Sequence, residues 1–175
     1  MTYLGEDSFF LAEETGKYLK DKDKEIEILD LGAGSGIISE TCLNLGFKNL
    51  IAADIDIKSI RFLEKKFKSK IKIVKSDLFS KLRGKFDLII FNPPYLPENK
   101  YDKNSDTTGG KKGDETILKF LEQAKNHLKE NGKILLLLSS LTPRARINNT
   151  GWKIKKLANK NLFFEKLEIL ELSFN

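Results

Sequence analysis

The sequence predicts an α/β fold: a seven-stranded, mainly parallel sheet with helices on both faces and an antiparallel C-terminal hairpin. Three observations predict it. Short apolar runs alternate with stretches of helical periodicity along most of the chain. The runs at residues 28–31, 86–91 and 133–138 are apolar almost throughout, the mark of strands buried on both faces. Two late strand-like runs, residues 152–157 and 164–172, have little helix between them and so close the sheet antiparallel.

Each element has its own signal. Residues 8–19 carry Phe9, Leu11, Ala12, Tyr18 and Leu19 at helical spacing. Residues 25–31 form a short strand that runs into a glycine-rich turn. Residues 37–45 read as a helix ended by Gly46. A second buried strand at 50–53 is closed by Asp54, and an amphipathic helix follows at 58–67. Residues 71–74 make the third strand. The fourth, 86–91, is stopped by Pro93 and Pro94, which cannot donate to a ladder. Residues 95–113 are a polar, glycine-containing loop. Residues 115–129 are a helix with Asn131-Gly132 as its stop, and 133–138 are the fifth strand. The stretch 143–151 is too short for a full crossover helix. No repeat or low-complexity linker interrupts the chain, so one domain is expected over residues 1–175. Its first 24 residues would be a helical lid, with no separate substrate domain.

Composition narrows the class. The chain has 175 residues, 40% hydrophobic and 32% charged, enough to bury a core and unlike a disordered chain. Its apolar runs fall far short of the ~20 residues that span a bilayer, and Glu6 and Asp7 break any signal-peptide pattern. No membrane association is expected. Cys42 is the only cysteine, so no internal disulfide can form, which fits a cytoplasmic location. One His and one Cys argue against a structural zinc site. The net charge of +6 fits a solvated lysine-rich surface, since the lysines are spread along the chain; an RNA or acidic-protein partner is the alternative.

The first strand leads from Asp30 into glycines at 32, 34 and 36. A dinucleotide fingerprint needs glycine at position 37, which is Ile37. Asp30, two residues before Gly32, would repel a pyrophosphate but suits a cationic amino-acid moiety. S-adenosylmethionine offers an ammonium and a sulfonium. Asp54 ends the second strand, where a carboxylate can accept both ribose hydroxyls of a nucleoside. Asp77 follows the third strand and could accept from an adenine amino group, with Ile55 and Leu78 against the ring. A lone Asp after a strand is usually a turn or cap residue. Three at successive strand ends beside Gly32, Gly34 and Gly36 point to a nucleoside-bearing ligand.

Asn92, Pro93, Pro94 and Tyr95 end the fourth strand. An amide or aromatic amine is a poor nucleophile because its lone pair is delocalised. Two acceptors can hold its N–H groups and favour a pyramidal nitrogen: the Asn92 side-chain oxygen and the Pro93 carbonyl, fixed by the proline ring. The Tyr95 ring can lie against a flat substrate and exclude water. Positioning then supplies much of the rate, and no general base is required before attack. The plainer alternative is a proline-stopped strand with an Asn-initiated turn.

Together these residues resemble the Rossmann-like class I amino-methyltransferases with the Asn-Pro-Pro-Tyr signature. That group includes DNA adenine and cytosine enzymes, ribosomal RNA guanine enzymes and the HemK/PrmC family, which methylates the glutamine of the Gly-Gly-Gln motif in translation release factors. Two further stretches resemble the short archaeal and eukaryotic HemK-like members. Tyr3, Glu6, Asp7, Ser8, Phe9 and Leu11 follow their Tyr-x-Pro-x-Glu-Asp-[Ser/Thr]-Phe-Leu-Leu start, without its proline, and Gly109, Gly110 and Gly113 follow their Gly-Gly-x-x-Gly loop. The resemblance implies S-adenosylmethionine contact by Ser8, Asp30, Gly32, Gly34, Gly36, Asp54, Ile55, Asp77, Leu78 and Asn92. It implies glutamine contact by Asn92 and Pro93, with Pro94 and Tyr95 completing the substrate side. It also implies a release factor as substrate and a small zinc-binding activator subunit pairing with a sheet edge. The third strand (Ile71, Ile73, Val74) should be that edge. The neighbouring Lys70, Lys72 and Lys75 either guard it or frame a docking strand. The alternatives are an RNA or DNA amino group (adenine N6 or guanine N2), a protein lysine, or a non-catalytic scaffold. Trp152 and the twelve phenylalanines are expected in the core rather than as a base-stacking platform, and His127 on a polar helix face.

Overall fold

The computed structural model describes residues 5–94 and 113–174. Its elements run α1 (Glu6–Leu19), β1 (Ile28–Leu31), α2 (Ile37–Asn44), β2 (Leu50–Asp54), α3 (Ile57–Phe67), β3 (Lys72–Lys75), β4 (Phe86–Phe91), α4 (Glu115–Ala124), β5 (Leu128–Ser139), α5 (Ala145–Asn148), β6 (Lys153–Asn161) and β7 (Lys166–Ser173). The seven strands lie in the order β3-β2-β1-β4-β5-β7-β6. Pairing is parallel from β3 through β5, and β7 is antiparallel to both β5 and β6. The expected sheet, hairpin included, is the one observed.

Alternation along the strands divides the core into two layers. Leu29, Ile89, Ile134 and Leu170 face α4 residues Ile117, Phe120 and Leu121. Ile28, Leu88, Ile90 and Leu135 face the other way, onto Leu11 of α1, Cys42 of α2 and Leu63 of α3. Both faces of β1, β4 and β5 are therefore covered, which is why these strands read as continuous apolar runs. The α3 stripe of Ser59, Ile60, Leu63 and Phe67 is buried. Its N-terminus is capped by Asp56, which accepts from the backbone N–H of Lys58 at 3.2 Å and of Ser59 at 3.1 Å.

Three expectations need correction. The helix expected to reach residue 129 stops at Ala124, and β5 begins at Leu128, before Asn131-Gly132 rather than after it. Asn131-Gly132 is not a stop. It lies where the β4–β5 register shifts, between the Phe86–Leu128 and Leu88–Lys133 pairs. A Cβ on residue 132 would lie 2.9 Å from the Phe86 carbonyl oxygen and 2.8 Å from the Leu128 side chain, so this glycine is required by close approach. His127 consequently sits in a turn, not on a helix face. Its ring stacks on Phe79 at 4.5 Å, with Nδ1 3.0 Å from the Gly84 carbonyl. The last strand starts at Lys166, not at 164, which leaves Phe163 and Phe164 in the hairpin turn. Among the described residues no helix is long and apolar enough to cross a membrane.

Candidate active site

The strand order reverses between β1 and β4, and the residues singled out by sequence gather at the carboxyl ends of these strands and their neighbour β2. Gly32, Gly34 and Gly36 all adopt positive φ (65°, 49° and 71°). At Gly36 the requirement is double. Its backbone is left-handed, and a Cβ there would meet Leu63 and Phe67 side chains at 2.7 Å. Gly36 precedes α2 and has no side chain to cap it.

Asp30 supplies that cap from the neighbouring strand. Its Oδ2 accepts from the Ser39 backbone N–H at 3.0 Å and from the Ser39 hydroxyl at 2.6 Å. The carboxylate is fully buried, and Oδ1 has no hydrogen-bond partner among the described residues. Burial pushes the Asp30 carboxyl up to about 7, against the lowering effect of the Ser39 bonds; the Asp54 charge adds to the rise. The loop is fixed from two more sides. Asp54 Oδ2 accepts from the Gly34 N–H at 2.8 Å, and its Oδ1 accepts from the Asp56 N–H at 2.8 Å. Lys66 of α3 donates to the Ser35 carbonyl at 3.0 Å and pairs with Glu40 at 3.0 Å. Burial also raises the Asp54 carboxyl above the ordinary carboxylate range, opposed by its backbone bonds.

The remaining cofactor-side candidates differ in exposure. Asp77 is about half exposed and pairs with Lys119 of α4 at 3.2 Å. Leu78 is buried with φ 46°, an unusual backbone for leucine. Ile55 is 63% exposed.

Asn92 follows β4 directly. Its Nδ2 donates to Asp7 Oδ2 at 3.0 Å and to Ser8 Oγ at 3.3 Å, both in the first turn of α1. A carboxylate only accepts, so Asp7 fixes which end of the Asn92 amide is nitrogen. The opposite end, Oδ1, is buried and has no hydrogen-bond partner among the described residues. Pro93 is buried and Pro94 half-buried beside it. Tyr95, Gly109 and Gly110 lie outside the described residues.

The structure thus brings together Ser8 and Asn92, and separately Asp30, Asp54 and the glycine loop. Asp7, Ser39 and Lys66 complete the two groups and were not singled out by sequence. The Glu6-Asp7-Ser8 run was the available signal for Asp7; Ser39 and Lys66 had none. Among the described residues no cluster of His, Cys, Asp and Glu could hold a metal ion. A groove of about 540 Å³, lined by Lys48, Asn49, Ser69, Ile71 and Phe86, lies at the opposite edge of the sheet, away from Asn92.

Residues 16–164 match the family model of the methyltransferase small domain. A Methanocaldococcus jannaschii protein named "putative protein N5-glutamine methyltransferase" is 34% identical over 159 residues, covering 84% of this chain and 81% of that protein. The release factor glutamine methyltransferase of Borreliella burgdorferi is 33% identical over 145 residues, covering 75% of this chain and 47% of that protein. The chain spans about half the length of that bacterial relative. Among solved structures, the E. cuniculi Mtq2–Trm112 complex, responsible for the methylation of the eRF1 translation termination factor, matches with a TM-score of 0.77 at 21% identity. The match covers 99% of this chain and 98% of that one. The T. thermophilus 16S rRNA N2 G1207 methyltransferase in complex with AdoMet and guanosine matches with a TM-score of 0.74 at 19% identity, covering 99% of this chain and 44% of that one. Both structures share the fold. On the extent of the family match and the identity to the Methanocaldococcus protein, this chain belongs to the methyltransferase small-domain family.

Proposed function

We propose that this chain is an S-adenosylmethionine-dependent N-methyltransferase acting on the glutamine side-chain amide of the Gly-Gly-Gln motif in a class I translation release factor. One observation carries the reading: Asn92 Oδ1 is a buried acceptor without a partner among the described residues, and Asp7 and Ser8 hold the other end of its amide. A buried acceptor left open is costly unless a ligand completes it. A primary amide nitrogen completes it.

In this reading Asn92 Oδ1 accepts one substrate N–H and the Pro93 carbonyl accepts the other. Both donors are held, so the nitrogen turns its electron pair to the remaining side. Asp7 is a positioning residue acting through Asn92. Tyr95 is assigned the role its motif implies, excluding water from the flat amide, and Pro94 follows Pro93 half-buried. When bound, S-adenosylmethionine supplies an electrophilic methyl group. The site residues fit such a ligand. Asp54 has lone pairs left for ribose hydroxyls after its two backbone bonds, the positive-φ glycines keep Cβ atoms out of the cradle, and Asp30 contributes buried negative charge behind it. Ile55 and Leu78 flank the adenine, and Asp77 accepts from it when its exposed pair with Lys119 opens. The substrate nitrogen becomes acidic only after methyl transfer, so its proton can leave to water.

The edge strand β3 is proposed as the seat of a small zinc-binding activator subunit. Among the described residues β3 pairs on one side only, with β2, and Ile73 and Val74 are half-buried there beside buried Ile71. A second reading, methylation of an RNA or DNA amino group or of a lysine, draws on the +6 charge and on the fact that Asn92 would serve any planar amine. The deciding experiment is transfer of labelled methyl to a purified release factor, to its Gly-Gly-Gln to Gly-Gly-Ala variant and to total RNA, with and without cell extract. Label on the wild-type factor alone supports glutamine methylation. Label on RNA, or equal label on both factors, would overturn it.

A further inference from the structure

The turn between β6 and β7 presents two adjacent phenylalanines to solvent, Phe163 at 93% exposure and Phe164 at 87%. The turn does not need them. It is closed by the Leu162 N–H donating to the Glu165 carbonyl at 2.7 Å, and the two rings touch only edge-to-face, 4.7 Å apart. Isolated exposed phenylalanines are ordinary; a pair on the tip of a rigid ribbon with eight cross-strand partners is not.

Pairing fixes where this tip stands. Phe91 lies level with Leu136 on β5, and Ser139 at the end of β5 lies opposite Leu167 on β7. The turn therefore projects beyond the same carboxyl edge that holds Asn92, two to three strands away. Two to three strand spacings are about 10–15 Å across the sheet. The turn is tied to that edge. Lys160 pairs with Glu6 at 3.3 Å, and Glu6 adjoins Asp7, the partner of Asn92. Ser139 donates its hydroxyl to Glu165, and Ser140 and Lys166 exchange bonds of 2.7 and 3.0 Å. Leu141, next in the same loop, is 50% exposed and extends the apolar rim.

We propose that Phe163 and Phe164, with Leu141, form the docking surface for the protein substrate, gripping its folded surface while its glutamine enters the Asn92 site. This rests on the protein-substrate reading above. The charges favour a protein over a nucleic acid or an anionic membrane. The basic residues nearest the tip are already paired: Lys160 with Glu6, and Arg144, Lys156 and Lys166 with Glu168. Those four cations share two carboxylates, but the tip itself, Leu162 to Phe164, carries no charge and adjoins Glu165, which suits the apolar part of a protein surface and not a run of phosphates. A typical interface takes about 800 Å² from each partner, a patch roughly 30 Å across, enough to cover both the tip and the Asn92 site.

The test is the Phe163→Ser/Phe164→Ser double variant, beside a Phe163→Tyr/Phe164→Tyr control that keeps the rings. The expected result is at least a tenfold rise in KM for intact release factor. The kcat at saturating factor, the Kd for S-adenosylmethionine and the melting temperature stay as in the parent protein, and the Tyr control stays near parent values. If the parent protein labels the factor and the Ser variant shows an unchanged KM, docking at this tip is wrong and the substrate reading stands. If the parent protein fails to label the factor even with cell extract, the substrate reading falls and this proposal with it. A variant defect confined to total RNA or to phosphatidylserine vesicles would assign the tip to those ligands and overturn the proposal.

Discussion

At Asn92 the two ends of one amide do different work. The nitrogen is spent on Asp7 and Ser8, and the oxygen is kept open. Asn92→Ala should lower kcat at least ~100-fold, the loss expected for one polar contact aimed at a transition state. Asp7→Ala should fall less far, about tenfold, because the amide can still adopt the productive flip part of the time; single-turnover kinetics on both variants would check this ordering. Asp30 makes a pH prediction. Its folded carboxyl, near 7, holds a proton over a range where an unfolded carboxylate has lost it. Its contribution to stability is therefore full below about 4 and is lost as pH rises through 7; Asp54, raised in the same direction, adds to this. The melting temperature of the unliganded protein should fall between pH 5 and 8, and Asp30→Asn should flatten that slope. Affinity for a cationic ligand runs the other way, rising over the same range, because the carboxylate must ionise. The choice of Asn92, Asp30 and Asp54 was legible in the sequence, because strand ends announce themselves through proline, glycine and the loss of apolar runs. Asp7 stood in the Glu6-Asp7-Ser8 run, but its hold on Asn92 was not legible, because that contact joins residues 85 apart.

Among the elements, those with sharp punctuation matched their sequence signals. β4 ends where Pro93 and Pro94 stop it, and α3 ends at Lys68 in a left-handed cap. α4 and β5 did not, because Asn131-Gly132 carries the local signature of a turn while the pairs on either side of it, Phe86–Leu128 and Leu88–Lys133, draw it into the sheet. Cross-strand contact outweighed turn propensity there. The cost of altering that junction should be specific. Gly132→Ala forces a methyl group against the Phe86 carbonyl and the Leu128 side chain, and should destabilise by about 1–3 kcal/mol. For a chain of this size that is a fall in melting temperature of roughly 2–12 °C. A calorimetric melt within 1 °C of the parent protein would show that β5 absorbs the extra atom. The one-turn α5 fits the short 143–151 stretch, which has no room for a longer helix.

Across the whole molecule, the proposed ligand bridges parts of the chain that meet only when folded: β1, β2 and the turn after β4. S-adenosylmethionine at about 100 times its Kd should therefore stabilise the protein by about 2.7 kcal/mol. Asp54→Ala should remove most of that shift; a full shift retained in the variant would take the ribose assignment with it. The layer order was readable because periodicity reports which faces are covered, whereas Phe164, in the turn between β6 and β7, carries the apolar signal of a strand start and is 87% exposed. The Asp7–Asn92 contact has a consequence for thermal behaviour. The first turn of α1 starts at Gly5, with no side chain capping it, and a helix end of that kind frays at small cost. Fraying there releases the Asn92 amide to rotate while the sheet stays intact. Warming should then slow the catalyst by loosening one helical turn, at temperatures where the body of the protein is still fully assembled.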